Sequence, residues 1–193
     1  IAASIQAVAE EIILTMANAL YERTKLPNLV YGGGVALNSV VNALLLKQTK
    51  FRQVFIFPAA GDDGAAVGAA LYVYHHVLGY KKRYPLTDVF WGIEYSNREV
   101  EQFLKDNDIK YQKMSDTLLL EFITEQLKAA KVIGWFEERS EFGPRALGHR
   151  SILADPKNPA MKDIVNSKIK FREEFRPFAP VILEEKTAAY YPD

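Results

Sequence analysis

Residues 140–156, SEFGPRALGHRSILADP, place Arg145, His149, Arg150 and Ser151 in a stretch punctuated by Gly and Pro beside an apolar run. Two guanidiniums, a hydroxyl and glycine-freed backbone amides are the parts that hold a phosphate or a carboxylate-like group. Arginine gives such oxyanions planar, bidentate hydrogen bonds, and glycine lets the backbone approach them closely. The same residues also suit a surface turn whose arginines pair with Glu137, Glu138 or Glu141. Spacing alone leaves both readings open.

Two further loops carry chemistry. Gly32-Gly33-Gly34-Val35-Ala36-Leu37-Asn38 stands where a short apolar run gives way to a helical pattern. Amides there would face outward with a helix's positive end behind them, which favours phosphate. Neither the dinucleotide fingerprint nor a P-loop is present, and a packing turn is the alternative. Asn38 could offer its amide to a ribose or substrate hydroxyl, or be an ordinary first-turn polar residue. Asp62 and Asp63 lie between Gly61 and Gly64 after a second apolar run. Paired carboxylates on a strand-end loop suit a divalent metal or a general base. An Asp-Gly turn capping a helix from Gly64 explains them equally. Two carboxylates do not close a metal site, so other ligands would have to come from elsewhere.

Lys168, Lys170, Arg172 and Arg176 alternate with Phe171, Phe175, Pro177 and Phe178. The run reads as a solvated helix end, or as cations against an apolar wall where a phosphate would feel them strongly. His75 and His76 are adjacent on a helical stretch, face about 100° apart, and are read as structural.

The elements that must position these groups follow from periodicity. Ile5, Val8, Ala9, Ile12, Ile13, Met16, Ala17 and Leu20 make an amphipathic helical stripe over residues 2–24, closed by Pro27. Leu29-Val30-Tyr31 and Val54–Phe57 read as short buried strands, with helical patterns over Val35–Leu46 and Ala65–Val77. Helix, strand, Gly loop, helix, strand, Asp-Gly loop, helix is an α/β order with loops at the carboxyl ends of strands. LGYKKRYP, residues 78–85, interrupts it as a linker. Beyond it Ser96–Glu99 is a capping box for a helix to about Asp106, and Ser115 caps another helix. Strands are expected at Ile109–Met114, Val132–Phe136 and Val181–Leu183, and a helix from Asn158-Pro159.

Composition sets the outer bounds. Of the 193 residues 49% are hydrophobic and 25% charged, which predicts a globular protein with a real core. The 24 basic and 24 acidic side chains cancel. Bulk electrostatic capture of nucleic acid or of an anionic membrane is therefore not expected. Residues 139–176 are mildly basic, which suits a small anion. With no cysteine there is no disulfide, thiolate nucleophile or thiolate metal site, and a reducing, cytoplasmic setting is expected. Glu10 and Glu11 interrupt the apolar N-terminal stretch, which argues against a signal peptide or a membrane span. A start without Met, inside a helical pattern, reads as part of a longer protein. The apolar helix could then expose a patch through which two copies pair as a homodimer.

Taken together, YGGGVALN, FPAAGDDGAAVGAAL, WFEERSEFGPRALGHRSILADP and KFREEFRPFAPVI resemble the O-carbamoyltransferase family, whose members include nodulation-factor enzymes and those carbamoylating cephamycin and tobramycin. The resemblance implies two halves. Residues 1–80 would be the end of an actin-like (ASKHA) ATPase-type carbamoyl-transfer domain, 81–85 a linker, and 86–193 most of a YrdC-like α/β domain. The YrdC-like half of the family forms carbamoyl-adenylate from carbamoyl phosphate and ATP with Mg. The actin-like half moves the carbamoyl group to a hydroxyl of a sugar- or antibiotic-like small molecule at a bound iron. By that resemblance Arg145, Arg150 and Ser151 are catalytic, with Lys170 and Arg176 supporting the carbamoyl-phosphate and nucleotide site. Gly33, Gly34, Asn38 and Gly64 match loops that hold nucleotide or acceptor. Asp62 matches a metal ligand, occupied by iron only in a complete protein. The family's histidine ligands and first actin-like lobe would lie before Ile1, so residues 1–193 alone are expected not to complete transfer. A threonylcarbamoyl-adenylate enzyme acting on transfer RNA and a non-catalytic ATP-binding or assembly module are the competing readings.

Overall fold

The apolar stripe of the first two dozen residues becomes helix α1, Ala2–Thr24, in the computed structural model, which describes residues 1–191. Lys25 ends the helix in the left-handed region (φ 54°), its N–H donating to the Tyr21 carbonyl, and Pro27 prevents continuation. The chain then forms β1 (Asn28–Tyr31), a 3-10 turn (Gly34–Leu37), α2 (Ser39–Gln48), β2 (Gln53–Ile56) and α3 (Gly64–Tyr72). β1 and β2 pair in parallel, Leu29 opposite Val54 and Tyr31 opposite Ile56. A parallel pair needs a crossover, and the 3-10 turn with α2 supplies it. Ala17, Leu29, Leu45 and Phe51 form the core between helices and sheet, with Val54 packed against them. Tyr21 meets Phe51 edge-on, centroids 5.4 Å apart.

The second half opens on α4 (Asn97–Asp106). The Ser96 hydroxyl accepts from the Glu99 N–H while the Glu99 carboxylate accepts from the Ser96 N–H, so the box read from sequence is formed. Ser115 caps α5 (Asp116–Lys128), and β3 (Ile133–Phe136) pairs antiparallel with β4 (Arg150–Leu153). After β4 come a short α6 (Met161–Ile164) and a π-helical stretch, Val165–Lys170.

Two sequence expectations are corrected, and one strand is added. Ile109–Met114 and Val181–Leu183 form no strand, and Arg150–Leu153, not anticipated as one, does. A strand exists only where another backbone supplies its ladder, and among the described residues no strand pairs with either of the first two. Side chains hold residues 109–114 instead: Glu101 on α4 accepts from the Tyr111 hydroxyl at 2.9 Å and pairs with Lys105 and Lys113.

Those bonds hold the Glu101 carboxyl at about 2, below its ordinary 4.5, with Lys105 the largest cause and Lys113 and Tyr111 following. A lowered folded-state value means that the stabilisation is complete above pH 4.5 and disappears as pH falls toward 2. Urea midpoints measured from pH 6 to pH 2.5 are expected to fall more steeply for the wild type than for Glu101→Gln. High salt should narrow the gap, because the Lys105 and Lys113 partners are exposed to solvent ions.

By internal packing the chain forms two units. The first comprises Ile1–Glu94 and Arg139–Leu147; the second, Tyr95–Glu138 and the residues from Gly148 onward. Residues 86–94 and the GPRAL segment thus pack with the first half of the chain. No helix among the described residues is long and apolar enough to cross a membrane.

Candidate functional site

In the first unit three loops meet at the carboxyl ends of β1 and β2. Gly33, at φ 103°, donates its N–H to the Ala60 carbonyl at 2.7 Å, which joins the triple-glycine loop to the Asp62 loop. Only a residue without Cβ adopts that φ without strain. Ala59 and Ala60 are buried beneath the Asp62 loop. The third loop is Arg139–Leu147. The Phe142 N–H donates to the Val89 carbonyl at 2.7 Å, and the Gly92 N–H donates to that of Ser140 at 2.9 Å. Phe142, Trp91 and Phe57 stack together, with centroids 5.6 to 6.3 Å apart. Gly143, at φ 123°, brings its backbone against Ala59.

This packing presents the chemistry-bearing side chains to solvent. Arg145 is exposed and has no hydrogen-bond or ion-pair partner among the described residues; Glu141 accepts instead from the Leu147 N–H at 2.7 Å. Asp62 and Asp63 are exposed on the loop into α3. Asp63 occupies the N-cap position but its side chain makes no capping bond. Its neighbour Gly64 has the tighter role, since a Cβ there would lie 2.0 Å from the Ala59 carbonyl oxygen. Asn38 caps α2 by accepting from the Val40 and Val41 amides, and its amide donates to Gln6 on α1 at 2.8 Å. Both ends of that side chain are thus engaged within the fold. Tyr31, the last residue of β1, carries a buried hydroxyl without a partner among the described residues, and burial raises its pKa.

Asp62 and Asp63 offer two exposed carboxylates to a metal here. Among the described residues no group of three or more His, Asp or Glu side chains is placed to hold one. His75 and His76 belong to the aromatic packing of residues 72–84: His76 stacks on Tyr72, and the His75 ring nitrogen meets the Tyr80 carbonyl at 2.8 Å. The Asp62 loop can lend a ligand but does not make up a donor set.

In the second unit, Arg150 sits on β4 with its guanidinium 3.6 Å from the centre of the Phe136 ring. It donates to the carbonyls of Glu137, Glu138 and His149. Glu138 stands at φ 37°, a conformation L-residues rarely hold, and these bonds secure the turn that contains it. Ser151 accepts from the Gly148 N–H at 3.0 Å. Arg145 and Arg150, five residues apart, therefore belong to different units.

Further along, Ser167, Phe171, Arg172, Glu173 and Arg176 line an open hollow of about 570 Å³. Arg176 pairs with Glu173 at 2.8 Å; Lys170 is exposed nearby in sequence. Of the basic run, Arg172 is the cation set against an aromatic wall, its guanidinium 4.7 Å from the Phe178 ring centre. Phe171 and Phe175 remain exposed. Sequence reading missed Asn166, which is fully buried. The available signal was an amide placed directly after the apolar Ile164-Val165 pair.

A family model described as "Carbamoyltransferase N-terminus" matches residues 1–71, and one described as "Carbamoyltransferase C-terminus" matches residues 124–193. Nodulation protein NolNO of Sinorhizobium fredii is 40% identical over 194 residues, covering 99% of this chain and 28% of that protein. Nodulation protein NolO of Bradyrhizobium diazoefficiens is 38% identical over 194 residues, 99% of this chain and 35% of its own length. An uncharacterized Synechocystis protein is 46% identical over 197 residues, covering 99% and 32% respectively. The chain spans about a third of the length of the curated relatives it matches.

Proposed function

As the chain belongs to the carbamoyltransferase family, we propose that it carries part of an O-carbamoyltransferase using carbamoyl phosphate and ATP. Water would split carbamoyl phosphate into carbamate and inorganic phosphate, and a carbamate oxygen would bond to the α-phosphorus of ATP as pyrophosphate leaves. From the resulting carbamoyl-adenylate the carbamoyl group would pass to a hydroxyl of a sugar- or antibiotic-like small molecule, releasing AMP. Residues 1–80 would be the end of an actin-like transfer domain and 86–193 most of a YrdC-like adenylate-forming domain, with Arg139–Leu147 packed into the first unit. The observation that carries this reading is the hollow lined by Ser167, Arg172 and Arg176, which lies inside the segment matching the carbamoyltransferase C-terminus.

Adenylate formation builds negative charge on the α-phosphate and the departing pyrophosphate. Fixed cations facing those oxygens stabilise the transition state more than the bound reactants. Arg176 and Lys170 are assigned to that task; Arg145, which packs with the first unit, is assigned separately as a donor to an oxyanion. Arg150 is assigned to holding its turn, because three backbone carbonyls already take up its guanidinium. Ser151 keeps a hydroxyl beside the same turn. Gly33 and Gly34, where a Cβ would meet nothing within 4 Å, would let a nucleotide or acceptor approach the backbone of the first unit. Gly64 would support the neighbouring loop by its close packing on Ala59, and Asn38 supports the triple-glycine loop as a helix cap. Asp62 would lend one carboxylate to a metal whose other ligands are not among the described residues.

The test is pyrophosphate release from ATP by the full-length gene product that contains these residues, with and without carbamoyl phosphate. Release that depends on carbamoyl phosphate is the expected result. A folded wild-type protein that releases none, or releases it regardless of carbamoyl phosphate, would sink the adenylate mechanism in favour of a binding module.

A further inference from the structure

Asn166 is completely buried, and it is the one polar residue so placed among the described residues. Burying a primary amide costs stability unless its donors and acceptor are paired. Here they are, and the partners come from one loop. The side-chain amide donates to the Glu174 carbonyl at 3.3 Å and the Arg176 carbonyl at 3.0 Å. The Oδ1 atom accepts from Arg172 Nε at 2.7 Å, and the Asn166 main-chain carbonyl accepts from the Arg172 N–H at 3.0 Å. Four bonds from one residue thus tie down the reversal that follows Phe171, itself at φ 47°. Arg172 extends the tie, lying over Phe178 and donating to the Pro177 carbonyl at 3.4 Å.

Location gives this node a purpose. Asn166 lies in the π-helical stretch Val165–Lys170, a geometry that is uncommon and often found at functional sites. The next residue, Ser167, lines the open hollow together with Arg172, Glu173 and Arg176. An exposed arginine on an irregular loop otherwise loses its aim to side-chain and backbone entropy. Fixing the carbonyl of Arg176 to a buried amide fixes where its side chain starts.

We infer that Asn166 is a positioning residue, holding Arg176 at the hollow so that its guanidinium meets a phosphate-bearing ligand. This rests on the proposed carbamoyl-phosphate site and specifies which buried group organises it. Asn166 touches no ligand in this account; it acts through the loop.

The experiment compares wild type, Asn166→Ala, Asn166→Asp, Arg176→Ala and the Asn166→Ala/Arg176→Ala pair in the full-length gene product. Each is measured for thermal unfolding, trypsin cleavage after Lys170 and Arg172, and the carbamoyl-phosphate KM and kcat of pyrophosphate release. Asn166→Ala is expected to speed cleavage and to raise KM, each by about tenfold, as for residues coupled through one hydrogen-bond network. The change in kcat should be smaller. Asn166→Asp keeps the acceptor for Arg172 and loses the donors to two carbonyls, so it should fall between. In the Arg176→Ala background, Asn166→Ala should raise KM no further. Unchanged cleavage, or additive effects on KM, would overturn the inference. So would Asn166→Asp unfolding at a lower temperature while keeping the wild-type KM. A wild type without carbamoyl-phosphate dependence would overturn the proposed function instead, and the cleavage comparison separates that failure from a loop that Asn166 does not hold.

Discussion

Arg145→Ala is expected to lower carbamoyl-phosphate-dependent pyrophosphate release by about 10²–10³-fold, the usual cost of deleting one donor aimed at developing charge. Thermal unfolding should stay where it is. The separation of the two effects follows from how the loop is held. Phe142 and Gly143 anchor it through the aromatic stack and the close approach to Ala59. Glu141 closes it on the Leu147 amide. Arg145 contributes nothing to that anchoring, being exposed and unpartnered among the described residues. A residue the fold does not use can be removed without unfolding, so lost turnover would report lost chemistry. Arg145→Lys keeps the charge but loses the planar fork and should recover only part of the rate. Steady-state release assayed beside a melting curve checks both halves. Equal release by wild type and Arg145→Ala would remove Arg145 from the site.

Gly64→Ala should destabilise the protein by about 3 kcal/mol, near the upper end for overpacking a well-filled site. Gly68→Ala, four residues later on α3, should stabilise it by about 0.5–1 kcal/mol. The chemistry of the two changes is identical, and geometry reverses the sign. A Cβ on Gly64 would lie 2.0 Å from the Ala59 carbonyl oxygen and 3.4 Å from the Phe57 ring. The first of these is backbone and cannot rotate away. The loop from Ala59 to Asp63 would have to move, and with it the Ala60 carbonyl that receives the Gly33 amide. At Gly68 a Cβ meets nothing within 4 Å, and alanine lowers the entropy of the unfolded chain. Guanidinium unfolding of the two variants beside wild type decides the matter. Equal stabilities would mean that the β2–α3 loop yields more easily than its packing implies.

Local features of the chain were legible because their causes are local. The α1 stripe, the Ser96–Glu99 box and the Ser115 cap depend on residues no more than four positions apart, and each appears in the structure where periodicity and capping chemistry put it. β1, β2 and β3 were likewise visible as short apolar runs. Family membership was readable for a related reason: the motifs that carry it are contiguous strings, and two family models match the same two ends of the chain.

Tertiary structure decided what depends on distant backbone. Ile109–Met114 has strand-like composition but no paired strand, whereas Arg150–Leu153 becomes a strand because β3 offers the register. The return of Arg139–Leu147 to the first unit, which parts Arg145 from Arg150, rests on Val89, Trp91 and Ala59, at least 51 positions upstream of the residues they meet. Arg150 looked like a free cation by type, and the carbonyls of a left-handed turn absorb it. Asn166 looked like an ordinary polar residue, and burial made it the tie of a loop. Residue type sets which bonds a side chain can make. Which bonds it does make is settled by the groups that folding brings within hydrogen-bond reach, and in an irregular loop those come from outside its own few residues.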